Sequence, residues 1–143
     1  MKVLTVGTFD LFHSGHIQLI DNCYKLAGST GKVVVGVNSD DFVYQYKKVK
    51  PIIPFNDRVK VISSLLKVHK VVVNNSKSLE KLLLDEKPNI LVVGSDWAKK
   101  DYFSQIGVSL DWLYSNDILL VYTCYTEGVS SSQIRNSIVN YTA

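Results

Sequence analysis

An α/β fold, a three-layer sandwich built on a five-stranded parallel sheet, follows from three observations on the chain. Short β-branched runs alternate with helical patterns, as parallel strands joined by crossover helices require. Most of those runs are apolar at consecutive positions, so both faces of each strand must be covered. The stretch Gly7-Thr8-Phe9-Asp10-Leu11-Phe12-His13-Ser14-Gly15-His16, with two histidines, falls where the first strand hands over to the first helix. In such sheets that junction lies at the carboxyl end of a strand, where ligands bind.

The first strand is read over Lys2 to Val6 and the first helix over Gly15 to Ala27, where Ile17, Leu19 and Ile20 begin an amphipathic pattern. The second strand is Lys32 to Val37. Tyr44 to Phe55 reads as a long irregular connection carrying Lys47, Lys48, Lys50, Pro51 and Pro54, and a loop of that length in a compact domain is usually functional. A helix follows over Asn56 to Leu66, then a strand over Lys70 to Val73, a helix over Leu79 to Glu86 and a strand over Ile90 to Val93. Leu110 to Asn116 is helical, Ile118 to Tyr122 is the last strand and Ser131 to Val139 the last helix. Trp112, between Leu110 and Leu113, belongs to an apolar face, in a core or a dimer contact.

With 143 residues and 46% hydrophobic content the chain can bury one core, and a single domain over 1–143 is expected. A net charge of +3 without a long Lys/Arg cluster suits a small anionic ligand and argues against nucleic acid as partner. The two cysteines, Cys23 and Cys124, match no metal or redox spacing and read as buried, reduced thiols. No signal-peptide pattern and no membrane-length apolar run is present, so a cytoplasmic protein that does not engage membranes is expected.

His13 and His16 are three apart at a helix start, so both imidazoles can face one side, beside unpaired helical amides that suit an anion. Gly15 between them permits close backbone approach. Donors placed there would stabilise charge growing on the nonbridging oxygens of an attacked phosphate. Arg58, early in its helix, has the planar fork to clamp a phosphate bidentately, against the plainer alternative of an ion pair. Ser130, Ser131 and Ser132 enter the last helix after Gly128; one hydroxyl is expected to cap it, and the others with the amides to reach phosphate. Arg135 reads equally as exposed or as reaching a triphosphate or a partner subunit. Asp10 and Asp96 suggest a carboxylate metal pair or, preferably, positioning of substrate.

The stretch Gly7 to His16 resembles the signature of the nucleotidyltransferase superfamily that carries a His-x-Gly-His motif. Asn38-Ser39-Asp40, Lys47, Lys50-Pro51-Ile52-Ile53-Pro54 and Arg58 resemble its loop and following helix. Val92-Val93-Gly94-Ser95-Asp96-Trp97 is similar to the Gly-Asp-Asp-Trp segment of glycerol-3-phosphate cytidylyltransferases, and Thr126-Glu127-Gly128-Val129-Ser130-Ser131-Ser132 to their Arg-Thr-Glu-Gly-Ile-Ser-Thr-Thr signature. The likeness runs in order along nearly the whole chain.

The resemblance implies a Rossmann-like fold and transfer of CMP from CTP to glycerol 3-phosphate or a related polyol phosphate, releasing pyrophosphate, with Mg2+ held mainly by the triphosphate. It implies His13, His16 and Lys47 as catalytic. Thr8, Phe9, Gly15, Lys50, Gly94, Asp96, Trp97, Thr126, Gly128, Ser130 and Ser131 would bind nucleotide, and Asp10, Arg58 and Lys81 the acceptor. Lys77 and Lys70 are alternatives to Lys81. A homodimer is a further implication. The chain departs from the pattern where Tyr125 stands for arginine, where Ser95 precedes Asp96 in place of aspartate, where Leu66, beside Lys67, stands for a second arginine, and in about ten additional residues around Gln105 to Ser115. Two other readings stay open: an ATP-dependent adenylyltransferase acting on a flavin, pantetheine or heptose phosphate, and a nucleotide-binding module without catalysis.

Overall fold

Five strands, all parallel, form one sheet in the order β3-β2-β1-β4-β5 in a computed structural model that describes residues 1–94, 101–124 and 128–141. They are β1 (Lys2–Gly7), β2 (Lys32–Asn38), β3 (Lys70–Asn74), β4 (Ile90–Gly94) and β5 (Leu119–Thr123). Seven helices are described: α1 (Ser14–Ala27), α2 (Asp40–Lys47), α3 (Phe55–Ser63), α4 (Glu80–Glu86), α5 (Tyr102–Ile106), α6 (Leu110–Ser115) and α7 (Ser131–Val139).

Alternation within the valine-rich strands builds two cores. Val3, Val33, Val35 and Val92 pack with Ile20 and Cys23 of α1 and Ile62 of α3. Their sequence neighbours Leu4, Val34, Leu91 and Val93 pack with Leu83 of α4, Ile106 of α5 and Leu113 of α6. Each face of the sheet is therefore closed by helices, which is the expected three-layer sandwich. Trp112 packs against the second core.

The chain winds outward from β1 in both directions, through β2 to β3 and through β4 to β5. Between β1 and β4 the direction reverses, so the connections leave on opposite sides and open a crevice at the carboxyl ends. Thr5 marks this point, donating its hydroxyl to the Val92 carbonyl at 2.9 Å.

Two helices fall where the sequence predicts none. The expected loop from Tyr44 begins inside α2, whose start is fixed by Ser39: its Oγ accepts from the Phe42 amide at 3.2 Å, and Asp40 and Asp41 occupy the positive first turn. The irregular segment is thus only the stretch after Lys47. The single-turn α5 is capped by Asp101, whose carboxylate accepts from the Ser104 amide at 3.1 Å. Among the described residues no helix is long and apolar enough to cross a membrane.

Candidate active site

Both histidines of the first junction are built into the start of α1. His13 is its N-cap, and its Nδ1 accepts from the Gly15 amide at 3.0 Å, while the His13 amide donates to Nδ1 of His16 at 3.3 Å. This is a reciprocal capping box made of imidazoles rather than of serine and glutamate. Because each Nδ1 accepts, each neutral ring carries its proton on Nε2 and remains a donor there. The rings stack with centroids 3.7 Å apart, and Phe9 meets His16 edge-on at 5.2 Å. Burial lowers the His13 pKa; burial, then the neighbouring His13, push that of His16 down to about 4 against a smaller opposing effect of Asp10. At neutral pH the pair is two uncharged donors.

The turn before α1 is held in an unfavourable backbone. Phe9 and Leu11 have φ of 55° and 49°, a region that costs side-chain-bearing residues about 1–3 kcal/mol each. Three contacts secure it. The Arg58 guanidinium donates to the Thr8 carbonyl at 2.6 Å, Ser131 donates its hydroxyl to the Asp10 carbonyl, and the Asp10 Oδ1 accepts from the Leu11 amide at 3.0 Å. Gly7 leaves room for the result: a Cβ there would sit 3.1 Å from the Phe9 ring.

Asp10 and Arg58, expected to bind the acceptor, are held in this structure as internal struts. The Asp10 carboxylate borders the cavity but is 4% exposed, and it accepts from the amides of Ile52 at 2.8 Å and Ile53 at 2.9 Å. It thereby ties the segment after α2 to the turn. Arg58, 2% exposed, donates also to the carbonyls of Ile53 and Asn38, both at 2.9 Å, and pairs with Asp40 at 2.7 Å. The planar fork that suits a phosphate here suits four backbone and side-chain oxygens.

A cavity of about 840 Å³ opens at the carboxyl ends of β1, β2 and β3. Thr8, Phe9, His16, Lys47, Lys50 and Ser131 border it as the sequence predicts. Lys48 does not; its left-handed backbone ends α2 and its ammonium donates to the Gln45 carbonyl at 2.9 Å. Lys81 is also absent from the wall, being exposed and paired with Asp85, whereas Lys77 is present. Sequence reading missed a polar chain along the floor. Asn74 donates to Asn38 at 2.9 Å, Asn38 donates to the Thr8 hydroxyl at 3.1 Å, and the Tyr46 hydroxyl lies 3.5 Å further. An asparagine ending each of β2 and β3 is the signal that pointed to it.

A second cavity of about 240 Å³ shares His16, Ser130 and Ser131 with the first and adds His13, Gly15 and Gly94 at the crevice between β1 and β4. Ser130 caps α7, its Oγ accepting from the Gln133 amide at 3.1 Å. The amino ends of α1 and α7 thus meet at one place, and both bring positive partial charge to it. Gly128, with φ of 75°, shapes the turn before α7; a Cβ there would touch nothing within 4 Å, so the position needs glycine for its backbone rather than for space. Arg135 borders the large cavity 3.6 Å from Asp10 and donates to Ser132 Oγ at 3.0 Å. Of the two cysteines Cys23 is buried, which pushes its thiol up to about 12, but Cys124 is exposed and lines the smaller cavity, contrary to expectation. Asp96, Trp97 and Thr126, with Ser95 and Tyr125, lie outside the described residues.

Among the described residues no three His, Cys, Asp or Glu converge to hold a metal ion, and the oxygens of Asp10 are taken up by backbone amides.

The model of the cytidylyltransferase-like family matches residues 4–137. The chain belongs to this family. Its cytidylyltransferase-like sequence is 33% identical over 105 residues to an FAD synthase of Korarchaeum cryptofilum, covering 73% of this chain and 71% of that one. It is 29% identical over 139 residues to the bifunctional protein HldE of Photorhabdus laumondii, covering 96% of this chain but 28% of that protein's length. Among solved structures it resembles the lipopolysaccharide core biosynthesis protein from Thermoplasma volcanium, with a TM-score of 0.68 and 25% identity over 88% of this chain and 96% of that one. The nucleotidyltransferase superfamily assignment and the Rossmann-like fold both hold.

Proposed function

We propose that this chain transfers a nucleoside monophosphate from a nucleoside triphosphate, ATP first, to the phosphate of an acceptor, releasing pyrophosphate. The observation that carries the reading is the pair of neutral imidazoles at the start of α1, facing the amino end of α7 across one crevice. An oxygen of the acceptor phosphate attacks the α-phosphorus; the bond from that phosphorus to the bridging β-oxygen breaks, and pyrophosphate leaves with the electron pair. No proton transfer by a side chain is needed. What the site must supply is charge stabilisation and alignment.

The Nε2–H donors of His13 and His16 act on the phosphate oxygens, where negative charge grows. The amides of α7 and the Ser130 hydroxyl hold the outer phosphates. Lys47, at the end of α2, and Lys50, on the strap that Asp10 anchors, offset the repulsion between two anions that must come into contact. Magnesium, on this reading, is held by the triphosphate oxygens, where it neutralises charge on the leaving group. The carboxylate of Asp10 is a strut that accepts from three backbone amides.

ATP is favoured as donor by the likeness to FAD synthases, since FAD is riboflavin 5′-phosphate (FMN) joined to AMP, and FMN is accordingly the first acceptor to test. A second reading, CTP with glycerol 3-phosphate or a related polyol phosphate, is supported by the segments Gly94-Ser95-Asp96-Trp97 and Thr126 to Ser132. The experiment crosses ATP, CTP, GTP and UTP with FMN, a heptose phosphate and glycerol 3-phosphate, and measures pyrophosphate formed. Release with ATP and FMN supports the first reading, release with CTP and glycerol 3-phosphate the second. No release with any pair leaves a binding module and defeats both.

A further inference from the structure

At the carboxyl ends of β2 and β3 the sheet sets two asparagines side by side. Asn38 and Asn74 are register partners, each follows a valine, and each is buried, at 8% and 5% exposure. Two buried amides are a poor choice for stability alone, because an apolar pair of the same shape would be nearly neutral or better. Backbone bonds already hold the strand ends. The Ser39 amide donates to the Asn74 carbonyl at 3.0 Å, and Arg58 donates to the Asn38 carbonyl at 2.9 Å. The two side chains are left free for another task.

Their hydrogen bonds run in one direction. Asn74 Nδ2 donates to Asn38 Oδ1 at 2.9 Å, and Asn38 Nδ2 donates to the Thr8 hydroxyl at 3.1 Å. The Thr8 oxygen thus accepts on its inner side, and its own proton is directed onward. Tyr46 of α2 brings a second hydroxyl to 3.5 Å from it. Whichever of the two donates to the other, one O–H proton is left for the cavity that both residues line. The chain therefore ends in a donor. The Lys47 ammonium lies 5.7 Å from the centre of the Tyr46 ring, so a positive charge stands beside that donor and favours an anion there.

Thr8 and Tyr46 line the large cavity and not the smaller one, where His13, Gly15, Gly94 and the amino end of α7 come together. On the transfer reading the smaller cavity takes the phosphates of the nucleotide, which leaves the larger one to the acceptor. We infer that Asn38, held by Asn74, is a positioning residue: acting through Thr8, it makes the Thr8 and Tyr46 hydroxyls a fixed donor for a phosphate oxygen of the acceptor. The inference rests on the transfer reading and adds to it the asparagine pair and Tyr46, which no motif in the sequence marks.

The test measures pyrophosphate release by the full chain from MgATP and MgCTP, with FMN, a heptose phosphate and glycerol 3-phosphate as acceptors. Wild type is compared with Y46F, T8V, N38L/N74L and the triple variant T8V/N38L/N74L, and thermal unfolding is followed on the same preparations. Loss of one hydrogen bond to a phosphate at a partly exposed site predicts KM for the acceptor raised about fivefold in Y46F, with kcat and KM for the nucleotide unchanged. N38L/N74L is expected to unfold near the wild-type temperature and to raise the same KM by about threefold to tenfold. Added to T8V it raises that KM no further, because Asn38 then has no hydroxyl to orient. A purely structural role for the asparagines would instead lower the unfolding temperature, move kcat and both KM values together, and add in full to the effect of T8V. Should N38L/N74L not fold, N38S, which withdraws the donor from Thr8 and leaves a hydroxyl to accept from Asn74, takes its place in the cycle. Release with an unchanged acceptor KM in Y46F, or full additivity with T8V, overturns the inference and leaves the transfer reading standing. No release with any acceptor defeats the transfer reading and this inference with it, so the two failures are distinguishable.

Discussion

The His13 and His16 side chains do two jobs with two different nitrogens. Nδ1 closes the helix start, which fixes the tautomer, and Nε2 is thereby left as a donor. Replacing either by alanine removes one preorganised donor and predicts a fall in kcat of about 10²- to 10³-fold, read as pyrophosphate release. The same geometry makes a prediction about pH. His16 stays neutral in the folded chain down to about 4, whereas in an unfolded chain it takes up a proton near its ordinary 6.5. Between those values the unfolded state binds more protons, so stability is full above about pH 6.5, falls on acidification and levels off below about 4. The loss is on the order of 2 kcal/mol, since the ring keeps some solvent contact. Urea unfolding at steps of pH measures it, and a His16→Asn variant should lose most of this slope; an unchanged slope would place the titration elsewhere.

Asp10 and Arg58 show what sequence alone conveys about a residue and what it leaves out. Their types were legible as anion and anion-binder, but their partners are backbone groups of Thr8, Asn38, Ile52 and Ile53, which no side-chain motif advertises. Arg58→Lys keeps the charge and loses the fork. It is expected to destabilise the chain by about 2–3 kcal/mol, because buried carbonyls lose their donors, and to raise KM for both substrates as the turn relaxes. Thermal unfolding and steady-state kinetics check the two halves of that statement.

At the scale of the element, the strands and the long helices were legible because their apolar periods were strong. The valine runs predict all five strands to within a residue or so of their bounds, and α7 is found at Ser131–Val139 as read. The short helices were not. In α2 the polar and tyrosine-rich stretch Asp41 to Tyr46 hides the period, although Ser39 followed by two aspartates is a start signal. α5 is a single turn, too short for any period to register, and is fixed by its Asp101 cap and by packing of Tyr102 and Ile106. The consequence for the site is direct. Without α2 the lysines seem to lie along one loose loop, whereas Lys47 ends a helix and Lys50 sits on a strap anchored by Asp10. Ser130 makes the corresponding point for α7. Ser130→Ala removes the cap and is expected to cost about 1 kcal/mol in stability while raising KM for the nucleotide, a combination that a cap alone would not produce.

For the whole molecule, sheet order decides where chemistry can occur. Winding outward from β1 in both directions puts the crevice beside the only junction that carries two histidines, and brings α7 from the far end of the sequence to the same place. That the crevice would lie there was readable from the βα alternation; that Lys77 and not Lys81 would reach the cavity was not, because it depends on how α4 is rotated. The opposite end of the strands has its own tie. Glu86, at the end of α4, is buried between Lys2 at 3.0 Å and Lys70 at 2.7 Å, joining β1, β3 and α4. Burial alone would raise its pKa, but the hydrogen bonds from Lys70 and Lys2 outweigh that and hold it below the usual carboxylate range. Its contribution is therefore present at neutral pH and lost only as the pH falls through that lowered value. Glu86→Gln should reduce stability by about 1–3 kcal/mol at pH 7 and leave turnover untouched, since it lies at the other end of the strands from the histidines.

The account turns on two uncharged rings donating from Nε2 to a bound triphosphate. Nitrogen-15 NMR of histidine-labelled protein at pH 7, titrated with MgATP, observes those atoms directly. The expected spectrum shows His13 and His16 neutral and protonated on Nε2 before nucleotide is added, with both Nε2 resonances shifting as it binds. Protonated rings at pH 7, or rings whose Nε2 signals stay fixed through saturation with nucleotide, would contradict it.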